Sequence, residues 1–159
     1  MKRHPLNRAL AVVLAGSALA AAAADFGHPA SPPSDPLSGA RAHLGLHHWA
    51  DAVAELRRIN ATGSADWNNL MGYALRSGDV PDLEASGRFY DEALRINPAH
   101  RGALEYSGEL YLMKHELPRA QSRLADLERA CRGGCAEATK LASAIADYKA
   151  HGGNHIASY

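Results

Sequence analysis

The sequence predicts an all-α fold in which antiparallel helix pairs stack into a solenoid. A helix-pair pattern occurs twice in near register, over residues 67–94 and 102–127. Gly72 and Gly108 hold the small position of the first helix in each copy, and their separation is close to the period of about 34 residues seen in stacked helical hairpins. Only 6% of the residues are aromatic and alanine is abundant, which favours closely packed helices over sheets.

Residues 1–24 have the layout of a secretory signal peptide. Three basic residues precede an apolar run over residues 9–20, and small residues at positions 22–24 supply a cleavage site. The run is shorter than the roughly 20 apolar residues that a membrane span needs. We therefore expect an exported, periplasmic protein with no stable membrane span after cleavage. A signal that is kept as an anchor is the alternative.

Removal of that segment makes the chain slightly acidic. The full chain has 17 basic and 17 acidic residues, and the segment contains three basic ones, Lys2, Arg3 and Arg8, but none that is acidic. The remaining excess of acidic over basic residues is a poor match for nucleic acid, since its binding depends on neutralising phosphates with Lys and Arg. We expect no nucleic-acid partner.

The rest of the chain divides into a linker, a helical domain and a tail. Residues 25–39 are expected to form an extended linker, because four prolines occur there and proline disrupts regular hydrogen bonding. Residues 40–149 suit one helical repeat domain. Residues 150–159 contain two adjacent glycines and are expected to be a flexible tail.

The first half of the domain shows three helices. Residues 40–46 predict a short helix, and residues 50–59 predict an amphipathic one because apolar positions recur there at three- and four-residue steps. Ser64 suits the N-cap of the third helix, since its hydroxyl can accept from a free backbone N–H. Gly78 is expected to end that helix in a left-handed conformation.

Four more helices follow. Pro81 is expected in the first turn of the fourth helix, where a missing N–H is tolerated, and Pro98 stops it. Residues 100–114 predict the fifth helix, and Pro118 opens its partner. Residues 136–149 predict an amphipathic capping helix for the open end of the stack. Its polar residues, among them Glu137 and Lys140, are expected to face away from the domain.

Both copies of the pattern have small residues where two helices would touch and large residues beside them. They are Trp67, Gly72, Phe89, Tyr90, Ala93 and Pro98 in one copy, and Gly108, Tyr111, Ala120 and Leu124 in the next. This pattern resembles the tetratricopeptide repeat family over residues 40–149. The resemblance implies a right-handed superhelix of helical hairpins. It also implies a concave face, lined mainly by the first helix of each pair, that binds an extended peptide or a partner helix.

The chain departs from the family pattern in several places. Ser86 stands where the family prefers alanine, His115 replaces the usual turn glycine, and the turn over residues 77–82 is longer than usual. The first repeat keeps only its second helix clearly, with Ala52 and Leu56 at the small and large positions. These differences affect the boundaries of the repeats more than the resemblance itself.

The resemblance also points to residues of the concave face, whose mixture is polar, amide-rich and partly apolar. It does not match the basic clamp that holds a carboxylate in some members, so that ligand is not transferred. The sequence predicts a non-catalytic, exported adaptor, without a cofactor, that binds a protein or peptide of the cell envelope. The predicted partner-binding residues are Asn69, Tyr73, Arg76, Glu105, Glu109 and Met113.

The two cysteines, Cys131 and Cys135, predict a structural disulfide. The chain is expected to be exported, and Gly133 and Gly134 permit the tight bend that a bond across such a short segment needs. The spacing is not the Cys-x-x-Cys of thioredoxin-like enzymes. A redox-active pair and a metal-binding pair are the alternatives.

Histidines suggest a second possible function. His43 and His47 are one helical turn apart and His48 follows, so imidazoles could share one side of a helix and bind zinc or copper. No further ligand lies at a motif spacing, and surface histidines are the simpler interpretation. A periplasmic metal-handling protein is one alternative to the adaptor, and a self-associating assembly subunit is the other.

No catalytic motif occurs in the sequence. It contains no Gly-x-Ser-x-Gly elbow, no phosphate-binding glycine loop and no His-Glu-x-x-His. The acidic pair Glu105 and Glu109 has a spacing that is typical of a solvated helix face. We therefore expect a protein that is not an enzyme.

Overall fold

The computed structural model describes residues 35–153, and this part of the chain contains seven α-helices and no strand. The prediction of an all-α protein is confirmed. The predicted signal peptide, most of the predicted linker and residues 154–159 of the predicted tail lie outside the described residues. The helices are α1 Ser38–Gly45, α2 Trp49–Ile59, α3 Ala65–Ser77, α4 Leu83–Ile96, α5 Arg101–Met113, α6 Leu117–Ala130 and α7 Ala136–Ala150.

Side-chain caps set the beginnings of three helices. The Ser64 hydroxyl accepts a hydrogen bond from the Trp67 N–H at 3.3 Å, as predicted. Asp82 caps α4 in the same way. For α5 the cap is an imidazole, since Nδ1 of His100 accepts from the Ala103 N–H at 3.0 Å. Each cap satisfies one of the N–H groups that a helix leaves without an intrahelical partner.

The connection between α3 and α4 differs from the prediction at two residues. Gly78 follows α3, but its φ of −64° and ψ of 164° are extended rather than left-handed. The chain instead makes a wide turn, which the Asp82 N–H closes by donating to the Leu75 carbonyl at 3.0 Å. Pro81 lies before α4 rather than in its first turn, because Asp82 has the capping side chain and takes the N-cap position.

Two histidines occupy the left-handed position where a helix often ends in glycine. His47 follows α1 and His115 follows α5, each with a φ of 59°. Asn60, after α2, is also left-handed, with a φ of 51°. This conformation is sterically unfavourable for a residue with a side chain. The hydrogen bonds at the helix end offset that cost. His115 thus adopts the conformation that a turn glycine would.

Close helix crossings depend on residues with little or no side chain. A Cβ added at Gly72 would lie 2.6 Å from Cε1 of the buried Tyr90 ring. At the same crossing of α3 and α4, the Ser86 hydroxyl donates to the Gly72 carbonyl at 2.7 Å. Gly108 has the same role between α5 and α7, since a Cβ there would lie 2.5 Å from Leu141.

The apolar core consists of three clusters, each formed by helices that are close in the chain. One cluster of buried apolar side chains lies among α1, α2 and α3, a second among α5, α6 and α7, and a smaller one between α4 and α5. Ala52, Ser86 and Ala120 are equally spaced along the chain, and none of them has exposed surface. Ser86 therefore holds in α4 the buried position that Ala52 holds in α2 and Ala120 holds in α6.

The predicted disulfide is present between α6 and α7. Cys131 and Cys135 are bonded, and their Cα atoms are 5.7 Å apart. Gly133 and Gly134 have φ values of 100° and 97°, so the two glycines make the bend that the sequence predicts. Cys131 also packs in the same apolar cluster as Leu141 of α7. The bond therefore joins the last helix to the end of α6.

We predict that Gly72→Ala destabilises the protein by about 1–3 kcal/mol, because the added methyl would overlap a buried ring that cannot move aside easily. Gly45→Ala is the matched control, since nothing lies within 4 Å of a Cβ there and alanine favours a helix by up to about 1 kcal/mol. Urea unfolding followed by circular dichroism measures both changes. Equal stabilities for the two variants would contradict the close crossing.

We predict that reducing the disulfide lowers the free energy of unfolding by about 2 kcal/mol, the chain-entropy value for a loop of about five residues. The paired substitution Cys131→Ala and Cys135→Ala should make the stability independent of reductant. Urea unfolding with and without reductant tests this. If reductant changes neither protein, the bond contributes nothing to the stability of the folded chain.

Candidate functional site

A groove of about 420 Å³ runs across the odd-numbered helices. Each of its lining residues belongs to α1, α3, α5 or α7, so the groove is lined by every second helix. The lining combines aromatic, amide and charged side chains. The residues are Arg41 and Leu44 from α1, Asn69, Leu70 and Tyr73 from α3, Gly102, Glu105 and Tyr106 from α5, and Ala136, Glu137 and Lys140 from α7.

Asn69 places an unsatisfied acceptor in this groove. The residue is only 7% exposed, and its Oδ1 atom has no hydrogen-bond donor among the described residues. The neighbouring Asn68 is also buried, but its Nδ2 donates to the carbonyls of Thr62 and Ser64 at 2.7 and 2.8 Å. Buried polar atoms are nearly always paired. The Oδ1 atom of Asn69 is therefore an unpaired acceptor that lies just beneath the surface of the groove.

Two tyrosines form an aromatic wall of the groove. The rings of Tyr73 and Tyr106 stack with their centroids 4.7 Å apart and their planes 25° apart. Trp49 meets Tyr73 edge to face at 5.7 Å. The guanidinium carbon of Arg76 lies 5.7 Å from the Tyr73 centroid and 5.5 Å from that of Tyr106, within the range of a cation–π interaction. These contacts hold both rings in place.

The Arg76 side chain does not line the groove but makes an ion pair with Glu109. Its Nη1 atom lies 2.5 Å from Oε2 of Glu109, and the two side chains are 3% and 20% exposed. A buried guanidinium must be paired, because removing a charge from water costs several kcal/mol. The ion pair therefore links α3 to α5 behind the tyrosine wall.

Glu105 is the titratable group of the groove. It is 3% exposed, and burial raises the pKa of its carboxyl to about 7, while the charge of Lys140 opposes that rise. The Lys140 Nζ atom lies 3.7 Å from Oε1 of Glu105. The carboxylates of Glu109 and Glu137 raise the pKa further. The charge of the groove therefore changes close to neutral pH.

Polar contacts also join the beginnings of α3 and α5. His100 accepts from a backbone N–H through Nδ1, so its Nε2 carries the proton and donates to Oδ1 of Asp66 at 2.9 Å. The other carboxylate oxygen of Asp66 lies 3.6 Å from Nη2 of Arg41 in α1. One carboxylate thus links the three helices α1, α3 and α5 at one end of the groove.

The six predicted partner-binding residues separate into three groups. Asn69, Tyr73 and Glu105 line the groove, and Arg76 and Glu109 form the buried ion pair behind it. Met113 is half-buried near the end of α5 and is not among the groove residues.

Eight of the eleven groove residues are not among the predicted partner-binding residues, and three of these eight are Tyr106, Glu137 and Lys140. Tyr106 follows Tyr73 at a repeat-like spacing, which could have identified it. Glu137 and Lys140 were expected to face away from the domain, but both line the groove, and only the Lys140 side chain is mostly exposed, at 66%. They face the groove, because Leu141 on the same helix packs against Gly108 of α5 and so turns the preceding polar residues toward it.

The histidines near residue 45 are arranged differently from a simple helical pair. The ring of His47 stacks on Trp49, with the centroids 5.1 Å apart. His43 instead lies near His48 and Asp51, and one potential ligand atom from each lies within 4.8 Å of the others. Cys131, Cys135 and Glu137 also lie together, but the disulfide occupies both sulfur atoms.

The chain matches no protein-family model, no curated protein and no solved structure. None of the helices between residues 35 and 153 is both long enough and apolar enough to cross a membrane. The groove itself therefore supplies the evidence from which a function can be inferred.

We predict that the stability of the protein falls as the pH rises from 4.5 to 7, relative to Glu105→Gln. The folded chain keeps the Glu105 proton up to a pKa of about 7, whereas the unfolded chain releases it near pH 4.5, so raising the pH favours unfolding. The relative loss should be between about 1 and 3 kcal/mol.

Urea unfolding at several pH values between 4 and 8 measures this difference. Glu128→Gln is the control, because Glu128 is exposed on α6 and its substitution should leave the pH dependence as in the wild type. Parallel pH profiles for the wild type and Glu105→Gln would show that Glu105 titrates at its ordinary pKa.

Proposed function

We propose that the protein is an exported, non-catalytic adaptor that binds an extended segment of a cell-envelope protein in the groove. The observation that carries this proposal is Asn69, a residue that lines the groove and whose buried Oδ1 atom has no donor among the described residues. An unpaired buried acceptor costs about 1–3 kcal/mol. Rotation of the Asn69 amide would bring this oxygen to the groove surface, where a backbone N–H from an extended peptide would satisfy it.

The proposed architecture is a right-handed solenoid of tetratricopeptide-like helix pairs, with α7 as the cap. The groove lining comes only from α1, α3, α5 and α7, as expected if these are the first helices of successive pairs and a final helix. The equal intervals between Ala52, Ser86 and Ala120 match the repeat length of that family. A solenoid of this kind has an extended concave surface for binding.

The chemistry of the groove suggests a peptide of mixed character. Arg41 and Lys140 are cationic, while Glu105 and Glu137 can be anionic, so neither sign dominates. Tyr73 adds apolar surface on which a side chain of the partner can pack. A polyanion such as nucleic acid would find too little positive charge here. A peptide offers backbone donors, apolar side chains and a few charges together.

Two features support export. Residues 1–24 have the layout of a signal peptide. The bond between Cys131 and Cys135 suits an oxidising compartment, since disulfides persist outside the cytosol. A periplasmic location follows as part of the proposal.

The proposal is tested by photo-crosslinking in cells. A photoreactive amino acid replaces Lys140, whose side chain is 66% exposed at the groove, and in a second strain it replaces Glu128 on α6. We expect one dominant envelope protein to be crosslinked from position 140 and not from position 128, with mass spectrometry identifying it. Capture of the same proteins from both positions, or of further copies of this chain alone, would contradict an adaptor groove.

Two neighbouring asparagines provide a matched test once the partner is known. Asn69→Ala should reduce the crosslinking yield at least tenfold and leave the stability unchanged or higher, since it removes an unpaired acceptor. Asn68→Ala should lower the stability by about 1–2 kcal/mol, through loss of two hydrogen bonds, and leave binding intact. Urea unfolding and crosslinking yield separate these effects. Full binding by Asn69→Ala would show that the acceptor does not contact the partner.

A further inference from the structure

The turn between α1 and α2 brings together two imidazoles and a carboxylate. His43 lies in the last turn of α1, His48 is the N-cap of α2, and Asp51 lies in the first turn of α2. One nitrogen of each imidazole and one carboxylate oxygen all lie within 4.8 Å of one another. The Nδ1 atom of His48 is 3.9 Å from Oδ2 of Asp51, and the two imidazole centroids are 6.3 Å apart.

The backbone of the turn fixes this arrangement. His47 is left-handed, its N–H donates to the Leu44 carbonyl at 3.1 Å, and the His48 N–H donates to the His43 carbonyl at 2.9 Å. This pair of bonds is a Schellman motif, which brings the side chains at the positions of His43 and His48 together. An apolar contact between those two side chains frequently accompanies the motif. Here both are histidines.

The second helix adds the carboxylate. The Ala52 N–H donates to the His48 carbonyl at 3.0 Å, so α2 begins immediately after the turn. A residue at the third position of a helix can direct its side chain back toward the N-cap, as in a capping box. Asp51 holds that position and faces the imidazole of His48. The three groups are therefore held by two helix ends and the turn between them.

His47 does not belong to this group, although its spacing from His43 suggests a pair on one helix face. The helix α1 ends at Gly45, so the chain no longer follows the helical path at residue 47. The left-handed conformation of His47 turns its ring onto Trp49 instead. The backbone thus selects His48 as the partner of His43.

We propose that His43, His48 and Asp51 form a binding site for a divalent transition-metal ion, Zn²⁺ or Cu²⁺, at the α1–α2 turn. Imidazole nitrogens suit both ions, and a carboxylate completes a three-ligand set that leaves a coordination position open. The site is separate from the groove and does not depend on the adaptor function.

The distances permit metal binding after small side-chain rotations. With metal–nitrogen distances of about 2.0–2.1 Å in a tetrahedral site, the ligand atoms must lie about 3.3 Å apart. A contraction of up to about 1.5 Å from the present separations is sufficient. The side chains of His48 and Asp51 are 55% and 66% exposed, so both have room to rotate. Cu²⁺ should bind more tightly than Zn²⁺, following the usual order for such ligands.

The test is isothermal titration of the tag-free full chain with Cu²⁺ alone and with Zn²⁺ alone. Residues that only orient metal ligands are worth about 10- to 100-fold in affinity, so His43→Gln, His48→Gln and Asp51→Asn should each weaken binding at least tenfold. His47→Asn is the matched control, because asparagine tolerates a left-handed conformation, and it should bind like the wild type. Circular dichroism verifies that each variant is folded.

Trp49 provides an independent readout. Bound Cu²⁺ should quench its fluorescence, and Trp49→Phe should remove the saturable part of that quenching while the titrated affinity is kept. The proposal is overturned if the wild type shows no saturable binding. It is equally overturned if His43→Gln and His48→Gln bind as tightly as His47→Asn, since the metal would then be held by other histidines of the chain.

Discussion

The buried ion pair between Arg76 and Glu109 is the interaction on which the groove depends. It joins α3 to α5, two helices that are not neighbours in the chain, and the guanidinium is almost fully removed from water. Such a charge is tolerated only with its partner in place, so the pair restricts how the two helices can lie. The stacked rings of Tyr73 and Tyr106 both lie within cation–π range of the same guanidinium. The aromatic wall and the ion pair therefore form one unit.

The groove contains polar groups that weaken the folded state. Asn69 buries an acceptor without a donor from the described residues, and Glu105 buries a carboxyl whose ionisation is disfavoured. Unfavourable groups of this kind are expected where a protein binds something rather than where it only folds. Close crossings elsewhere, such as that of Gly72 with Tyr90, offset their cost through dense packing.

The same backbone motif has different chemistry at two places in the chain. His47 and His115 are both left-handed and both follow a helix whose end is closed by two hydrogen bonds. After His115 the next residue is Glu116, whose N–H donates to the Tyr111 carbonyl, so neither position that this turn brings together carries an imidazole. The first turn, with His43 and His48, supplies two metal ligands. The same turn therefore follows α1 and α5, but it brings together a different pair of side chains at each place.

The sequence by itself determined the features that depend on near neighbours: the seven helices of residues 35–153, their order, the Ser64 cap and the bond between Cys131 and Cys135. Caps, breaks and short disulfide loops involve residues only a few positions apart, so local patterns reveal them. Only the tertiary structure decided which helix faces meet. It placed Lys140 at the groove, beside Glu105, and it buried Arg76 against Glu109. Those outcomes follow from packing between helices distant in sequence, which no local pattern encodes.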